Sequence, residues 1–243
     1  PILVEIDENF HINIDDFTEK ANASKSKFLL LSHMRGHITN MDKLVEICKS
    51  LKIQIIEDCA HTMGAKWDGK RSGNFGLVSA FSTQTYKHIN SGEGGFLVTN
   101  DDEVIAKAIM HSGSYMLYEK HASSPNNGIF EKVKLKTANF SGRMDNLRSS
   151  ILIPQLKDLD NKVIKWNNLY KELYNRLKTQ NGIFIPNRDK RELYVGSSIQ
   201  FRLKDFADKK IQDFIKNCKK RGVDLKWFGD KNPIAYTLSL IHI

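Results

Sequence analysis

The first half of the chain repeats one unit: a short run that is apolar on both faces, then a stretch with helical spacing. The runs are PILVEID, FLLLSH, IQIIED, LVSAFS and GFLVTN. They favour β-branched or aromatic residues and end near turn formers, as strands do. Between them, residues 41–51 and 102–111 carry apolar side chains at helical intervals. In the first of these, Leu44, Val45, Ile47 and Cys48 share a face, and Asn40 stands where a cap belongs. A strand without a polar face must be buried on both sides, and helices between strands make the connections parallel. The sequence therefore predicts an α/β fold whose mostly parallel sheet is covered on both faces.

From residue 145 the pattern changes. A long helical region, broken near Pro154, carries an apolar stripe through Leu159, Val163, Trp166, Leu169 and Leu173. NGIFIPN follows, then a strand-like segment over 197–203 and a helix over 205–221. We read residues 1–155 as a large domain lacking its N-terminal part, and 156–237 as part of a smaller α+β domain. The last six residues, LSLIHI (238–243), back-translate to a transposase adaptor used in sequencing libraries. A non-native tail is one reading of them, a short terminal strand the other.

With 243 residues, 40% of them hydrophobic, the chain can bury one large core or two modest ones. No apolar run reaches about eighteen residues, so no membrane span is expected, and no basic leader opens the chain. Three widely spaced cysteines fit neither a disulfide framework nor a zinc site and suit a reducing cytoplasm. The net charge of +9 would attract an anionic ligand or nucleic acid, but the lysines are scattered and no nucleic-acid-binding module is recognisable.

Ligands of open α/β sheets collect at the carboxyl ends of the strands. Three stretches end there: IQIIED at Asp58, followed by His61; LVSAFS at Ser82; and then Lys87, in FSTQTYKHINSGEGG. An acid, an imidazole, hydroxyls and a lysine suit pyridoxal 5′-phosphate. An aldehyde cofactor needs a primary amine, which lysine supplies. Its pyridine nitrogen stays protonated beside a carboxylate, for which Asp58 is the candidate. Ser82 and backbone N–H groups would meet the phosphate, and His61 the ring or its phenolic oxygen. Each residue taken alone has a plainer reading, as a helix cap, a structural histidine or a turn. Their order together argues for the cofactor.

Residues 57–101, EDCAHTMGAKWDGKRSGNFGLVSAFSTQTYKHINSGEGGFLVTND, closely resemble the DegT/DnrJ/StrS family of pyridoxal-phosphate-dependent sugar aminotransferases. A weaker likeness runs from residue 1 to about 156 and includes LLSHMRGHITNMDKL. The resemblance implies a type I aminotransferase fold, a homodimer, and transfer of an amino group from an amino acid, usually glutamate, to a keto-sugar carried on a nucleotide. Such chemistry serves cell-surface polysaccharide or amino-sugar synthesis. Residue by residue it assigns Lys87 to the Schiff-base lysine, Asp58 to the pyridine nitrogen, His61 to the ring and Ser82 to the phosphate. The family asparagine that reaches the partner subunit's phosphate corresponds to Asn139 or Ser141, with Asn139 preferred and Arg143 structural. No metal is implied. Some relatives are sugar dehydratases with histidine in place of the lysine. Here Lys87 is present and His88 is only its neighbour, which favours transamination. A dehydratase and a non-catalytic regulatory relative remain the alternatives.

Overall fold

A computed structural model describes residues 1–113 and 116–230. Its centre is a four-stranded sheet of β1 (Phe28–Ser32), β2 (Gln54–Asp58), β5 (Val78–Ser82) and β6 (Gly95–Val98), in the order β1-β2-β5-β6. The first three strands run parallel, and β6 is antiparallel to β5. The register places Ser32 opposite Asp58, Asp58 opposite Ala80, and Ser82 opposite Gly95. The carboxyl ends of three strands thus form one rim.

One face of the sheet is packed. Leu29, Leu31 and Ile55 are buried with Phe17 and Ala21 of α1 (Ile14–Ser24) and Met41, Leu44 and Cys48 of α2 (Met41–Ser50). Asn40 caps α2 as expected, its side chain accepting from the Lys43 amide at 3.2 Å. The expectation of cover on both faces is not met among the described residues. Phe28 and Leu30 are 57% and 59% exposed, because alternate side chains of β1 point to opposite faces and only one face has helices on it.

Several segments differ from the sequence reading. PILVEID is not a strand. Only Ile6 makes a single bridge, to Ile12, while the Asp7 carboxylate accepts the Asn9 and His11 amides and turns the chain. Helix α1 and the hairpin of β3 (Lys66–Trp67) and β4 (Lys70–Arg71) were not foreseen. The hairpin turns on Asp68 and Gly69, both at positive φ (46° and 78°), as two-residue hairpin loops prefer. Helix α3 (Asp102–Ser112) matches the sequence pattern, begins at an Asp101 cap and ends at Gly113, φ 105°. It packs on the short α4 (Asn127–Val133).

Pro154 lies inside α5 (Asn146–Lys157). The break comes later, at Asp158, before α6 (Leu159–Leu177). The strand expected over 197–203 reduces to a two-residue β9 (Arg202–Leu203) paired with β7 (Ile183–Phe184). Asp205 sits at φ 60°, a left-handed value no helix start takes, so α7 begins at Asp208 (Asp208–Lys220). The segment 238–243 lies outside the described residues. No helix among those described is long and apolar enough to cross a membrane.

Candidate active site

Asp58 ends β2 half-buried, with both carboxylate oxygens directed: Ser32 Oγ–H donates to Oδ2 at 2.9 Å and the Ala60 amide to Oδ1 at 3.1 Å. Behind it, Glu57 is fully buried. It accepts the backbone amides of Gly73, Phe75 and Gly76 at 3.0, 2.7 and 2.8 Å and meets His33 Nε2 at 3.3 Å. Burial pushes its carboxyl up, but His33 and these amides outweigh burial and hold it below the usual range. His33, Glu57 and Cys59 lie close enough to suggest a metal cluster. Glu57 already takes amides on both oxygens, however, and Cys59 Sγ accepts from Ser72 Oγ at 3.3 Å, so the trio reads as a structural anchor for the 72–76 loop.

Lys87 sits in a loop closed on itself. The Thr83 amide donates to the Gly94 carbonyl, Thr85 to Gly92, and Ser91 to Thr83, each at 2.9 Å. Ile89 is buried in the core, and Gln155 of α5 grips the loop by accepting the Asn90 amide at 3.0 Å and donating to its carbonyl at 2.7 Å. This bracing holds the Lys87 amine over the rim, Nζ 2.9 Å from His61 Nε2.

The protons at that contact can be assigned. The Arg35 amide donates to His61 Nδ1 at 3.1 Å, so Nδ1 carries no proton and the neutral ring bears its hydrogen on Nε2. Nε2–H then faces the Lys87 nitrogen, which can accept only as an uncharged amine. Burial works in the same direction. Burial, and then Arg35, lower the Lys87 pKa against the opposing pull of Asp58. Burial pushes His61 down to about 4, and Lys87 adds to burial only in its charged form. His88, next in the chain, is also held at about 4 by burial and Lys87. Its Nε2 meets Ser197 Oγ at 2.9 Å, and its ring stands 5.4 Å from that of Trp166.

Lys87, His61 and Asp58 are therefore brought together, with Ser82 on the adjacent strand end, where its Oγ accepts the Gln84 amide at 3.3 Å. Asn139 stands apart. It is exposed, accepts the Ser141 amide at 2.8 Å, and lies in a turn docked on the end of α3. The sequence reading did not single out Ser32 or the Arg35 amide, and named His88 only as the neighbour of Lys87. Ser32 ends its strand in register with Asp58, a signal that was available. Two surface concavities, of about 500 and 450 Å³, lie at the other end of the sheet, around Lys27, Lys52 and Gln54, and bring no such groups together.

This is the fold of the pyridoxal-phosphate-dependent aminotransferases. It aligns with the aminotransferase TlmJ from Streptoalloteichus hindustanus at a TM-score of 0.76 and 19% identity, over 92% of this chain and 58% of that one. It aligns at 0.74 and 23% identity with the E. coli GDP-4-keto-6-deoxy-D-mannose-3-dehydratase holding hydrated pyridoxal phosphate, over 91% and 58%. The profile of the DegT/DnrJ/EryC1/StrS aminotransferase family matches residues 1–235, and the chain belongs to that family. Among curated relatives, the GDP-perosamine synthase of Escherichia coli O157:H7 is 30% identical over 181 residues, 73% of this chain and 46% of that protein. That of Vibrio cholerae is 31% identical over 175 residues, 72% and 44%. The chain spans about half the length of these curated relatives.

Proposed function

We propose that this chain is the cofactor-binding part of an aminotransferase that moves an amino group from an amino acid, glutamate in the first instance, to a nucleotide-linked keto-sugar. The observation that carries the reading is the Lys87 amine held 2.9 Å from His61 Nε2 beside the Asp58 carboxylate, its pKa lowered by burial from the ordinary lysine value. These residues fit pyridoxal phosphate by their chemistry: a nucleophilic amine, an oriented carboxylate and an N–H donor, on one rim of the family's fold. When bound, that cofactor supplies a protonated ring able to draw electrons from the bond broken at the donor carbon.

The chain's own groups do the rest. Lys87 would hold the cofactor through its amine, with loss of water, and once the donor's amine has displaced it would be free to take a proton from the donor carbon and return it one position away. Asp58, fixed by Ser32 and Ala60, keeps a proton on the ring nitrogen. With the cofactor bound, His61 would offer its ring N–H to it and the Ser82 hydroxyl would meet the phosphate. Asn139, which is exposed, would reach the phosphate held by a second copy in a cytoplasmic homodimer. Residues 1–155 form the large domain of this arrangement and 156–237 part of the small one. The GDP-sugar enzymes among the relatives support a GDP-linked substrate. The dehydratase neighbour raises that reaction as a second reading, against which the presence of Lys87 stands.

The test is direct. Chain incubated with pyridoxal phosphate and reduced with borohydride carries the label on Lys87 by peptide mapping, and Lys87→Ala carries none there. Glutamate added before reduction converts the bound cofactor and releases 2-oxoglutarate. Label spread over exposed lysines, unchanged in Lys87→Ala, defeats the assignment.

A further inference from the structure

A second buried polar group lies behind the Lys87–His61 contact. Arg188 and Glu192, with side chains 8% and 0% exposed, form an ion pair at 2.7 Å. The pair grips the turn that follows β1. Arg188 Nη1 also donates to the Gly36 carbonyl at 2.7 Å, and Glu192 Oε1 accepts the Ile38 amide at 3.4 Å. The guanidinium lies over the Tyr194 and Tyr170 rings, 4.7 and 5.6 Å from their centres, which fixes its plane.

The gripped turn is the one that faces His61. Arg35 and Gly36 both take left-handed backbone, φ 55° and 77°, and this aims the Arg35 amide at His61 Nδ1. Only glycine suits position 36. A Cβ there would stand 3.0 Å from the His61 carbonyl oxygen and 3.7 Å from that of Val195, so the turn is wedged between the His61 loop and the segment bearing Arg188. A non-glycine left-handed residue such as Arg35 costs about 1–2 kcal/mol and persists where its surroundings hold it.

We propose that the Arg188–Glu192 pair is a positioning device for the Lys87 amine: it holds the Arg35 amide on His61 Nδ1, keeps the ring proton on Nε2, and so favours the uncharged form of the amine. Neither residue touches Lys87. If the turn is released, Nδ1 can carry the proton, Nε2 becomes an acceptor, and Lys87 is stabilised as the ammonium. The charged or titratable groups facing Lys87 and His61 are Asp58, Arg35 and His88, and those facing Arg188 and Glu192 are His11, His33, His37 and Tyr194. The proposal rests on Lys87 as the reactive amine, but its test needs no cofactor.

Removing one partner strands a buried charge, so the variant is Arg188→Met with Glu192→Met, which removes both and keeps the volume. Two measurements are made on the cofactor-free chain: the ¹⁵N shifts of the His61 ring nitrogens, and the pH dependence of Lys87 acylation by trace acetic anhydride, read by mass spectrometry. The parent shows the Nε2–H tautomer, and its Lys87 reacts at lower pH than exposed Lys25 and Lys27. The variant shows mixed tautomers and a Lys87 midpoint about one pH unit higher, a tenfold loss of uncharged amine at fixed pH. A folded variant with tautomer and midpoint unchanged, or a parent with the proton on Nδ1, overturns the proposal. Should the methionine pair fail to fold, Arg188→Lys keeps a cation for Glu192, loses the fork to Gly36, and is judged by the same two readings. The expected shifts support the positioning role even if borohydride trapping then fails on Lys87, which would sink only the proposed function.

Discussion

Lys87 and Asp58 act in opposite directions on one proton. Burial and Arg35 depress the lysine, and the Asp58 charge raises it. Asp58→Asn keeps an acceptor for Ser32 but removes that charge, so the Lys87 pKa falls further and its acylation midpoint moves to lower pH. The label is still trapped on Lys87. The glutamate half-reaction slows on the order of a hundredfold or more, because the cofactor ring loses its counter-charge. A midpoint that moves upward would contradict this sign. Asp58, His61, Ser82 and Lys87 were legible because each follows a strand end that the apolar runs marked. The Arg35 amide was not, since a backbone N–H gains its role only from the turn that aims it.

The loop carrying Lys87 separates two kinds of glycine. At Gly94, φ 135°, a Cβ would collide with the Met144 side chain and stand 2.9 Å from Thr83 Oγ1. At Gly92, φ 85°, a Cβ meets nothing within 4 Å. Gly92→Ala therefore costs about 1 kcal/mol of backbone strain. Gly94→Ala costs roughly 2–4 kcal/mol and also loosens the Lys87 loop. Urea midpoints rank the two, and equal midpoints would refute the collision. The sequence marked this GEGG segment as close-approach backbone but left open a plain hairpin turn. Gly94 is set by Thr83 and Met144, and at Gly95 a Cβ would stand 2.5 Å from the Phe81 carbonyl oxygen, so only tertiary packing distinguishes these glycines.

Across the whole molecule, one buried histidine and two half-buried ones shape the response to acid. His37 is held at about 3, and His61 and His88 at about 4, by burial first, with Arg188 adding to burial at His37 and Lys87 at the other two. In the unfolded chain all three titrate near 6.5. Between about pH 6.5 and 4 the unfolded state therefore binds more protons, and stability falls as pH falls through that window. Glu57, held below its ordinary value, adds loss in the same direction at the acid end. The summed effect is on the order of a few kcal/mol, read as a falling urea midpoint from pH 7 to 4. A flat profile would show these rings reaching water. His37 and His88 owe their burial to residues far along the chain: His37 Nε2 meets Gln200 Oε1 at 2.8 Å, and His88 meets Ser197. The same later segment adds β8 (Glu192–Leu193) to the β3 hairpin, with Arg191 4.5 Å from the Trp67 ring centre.

The sequence by itself determined the α/β class, the parallel core strands, the helices over 41–51 and 102–111, and four residues of one rim. Those features follow from local periodicity and from position at strand ends. Tertiary structure alone decided which proton His61 carries, which glycine must be glycine, and that Arg188 and Glu192 brace a turn from more than a hundred residues away. The physical reason is range: hydrophobic spacing is written between neighbours, whereas the state of a buried proton depends on every donor that the fold brings within hydrogen-bond reach.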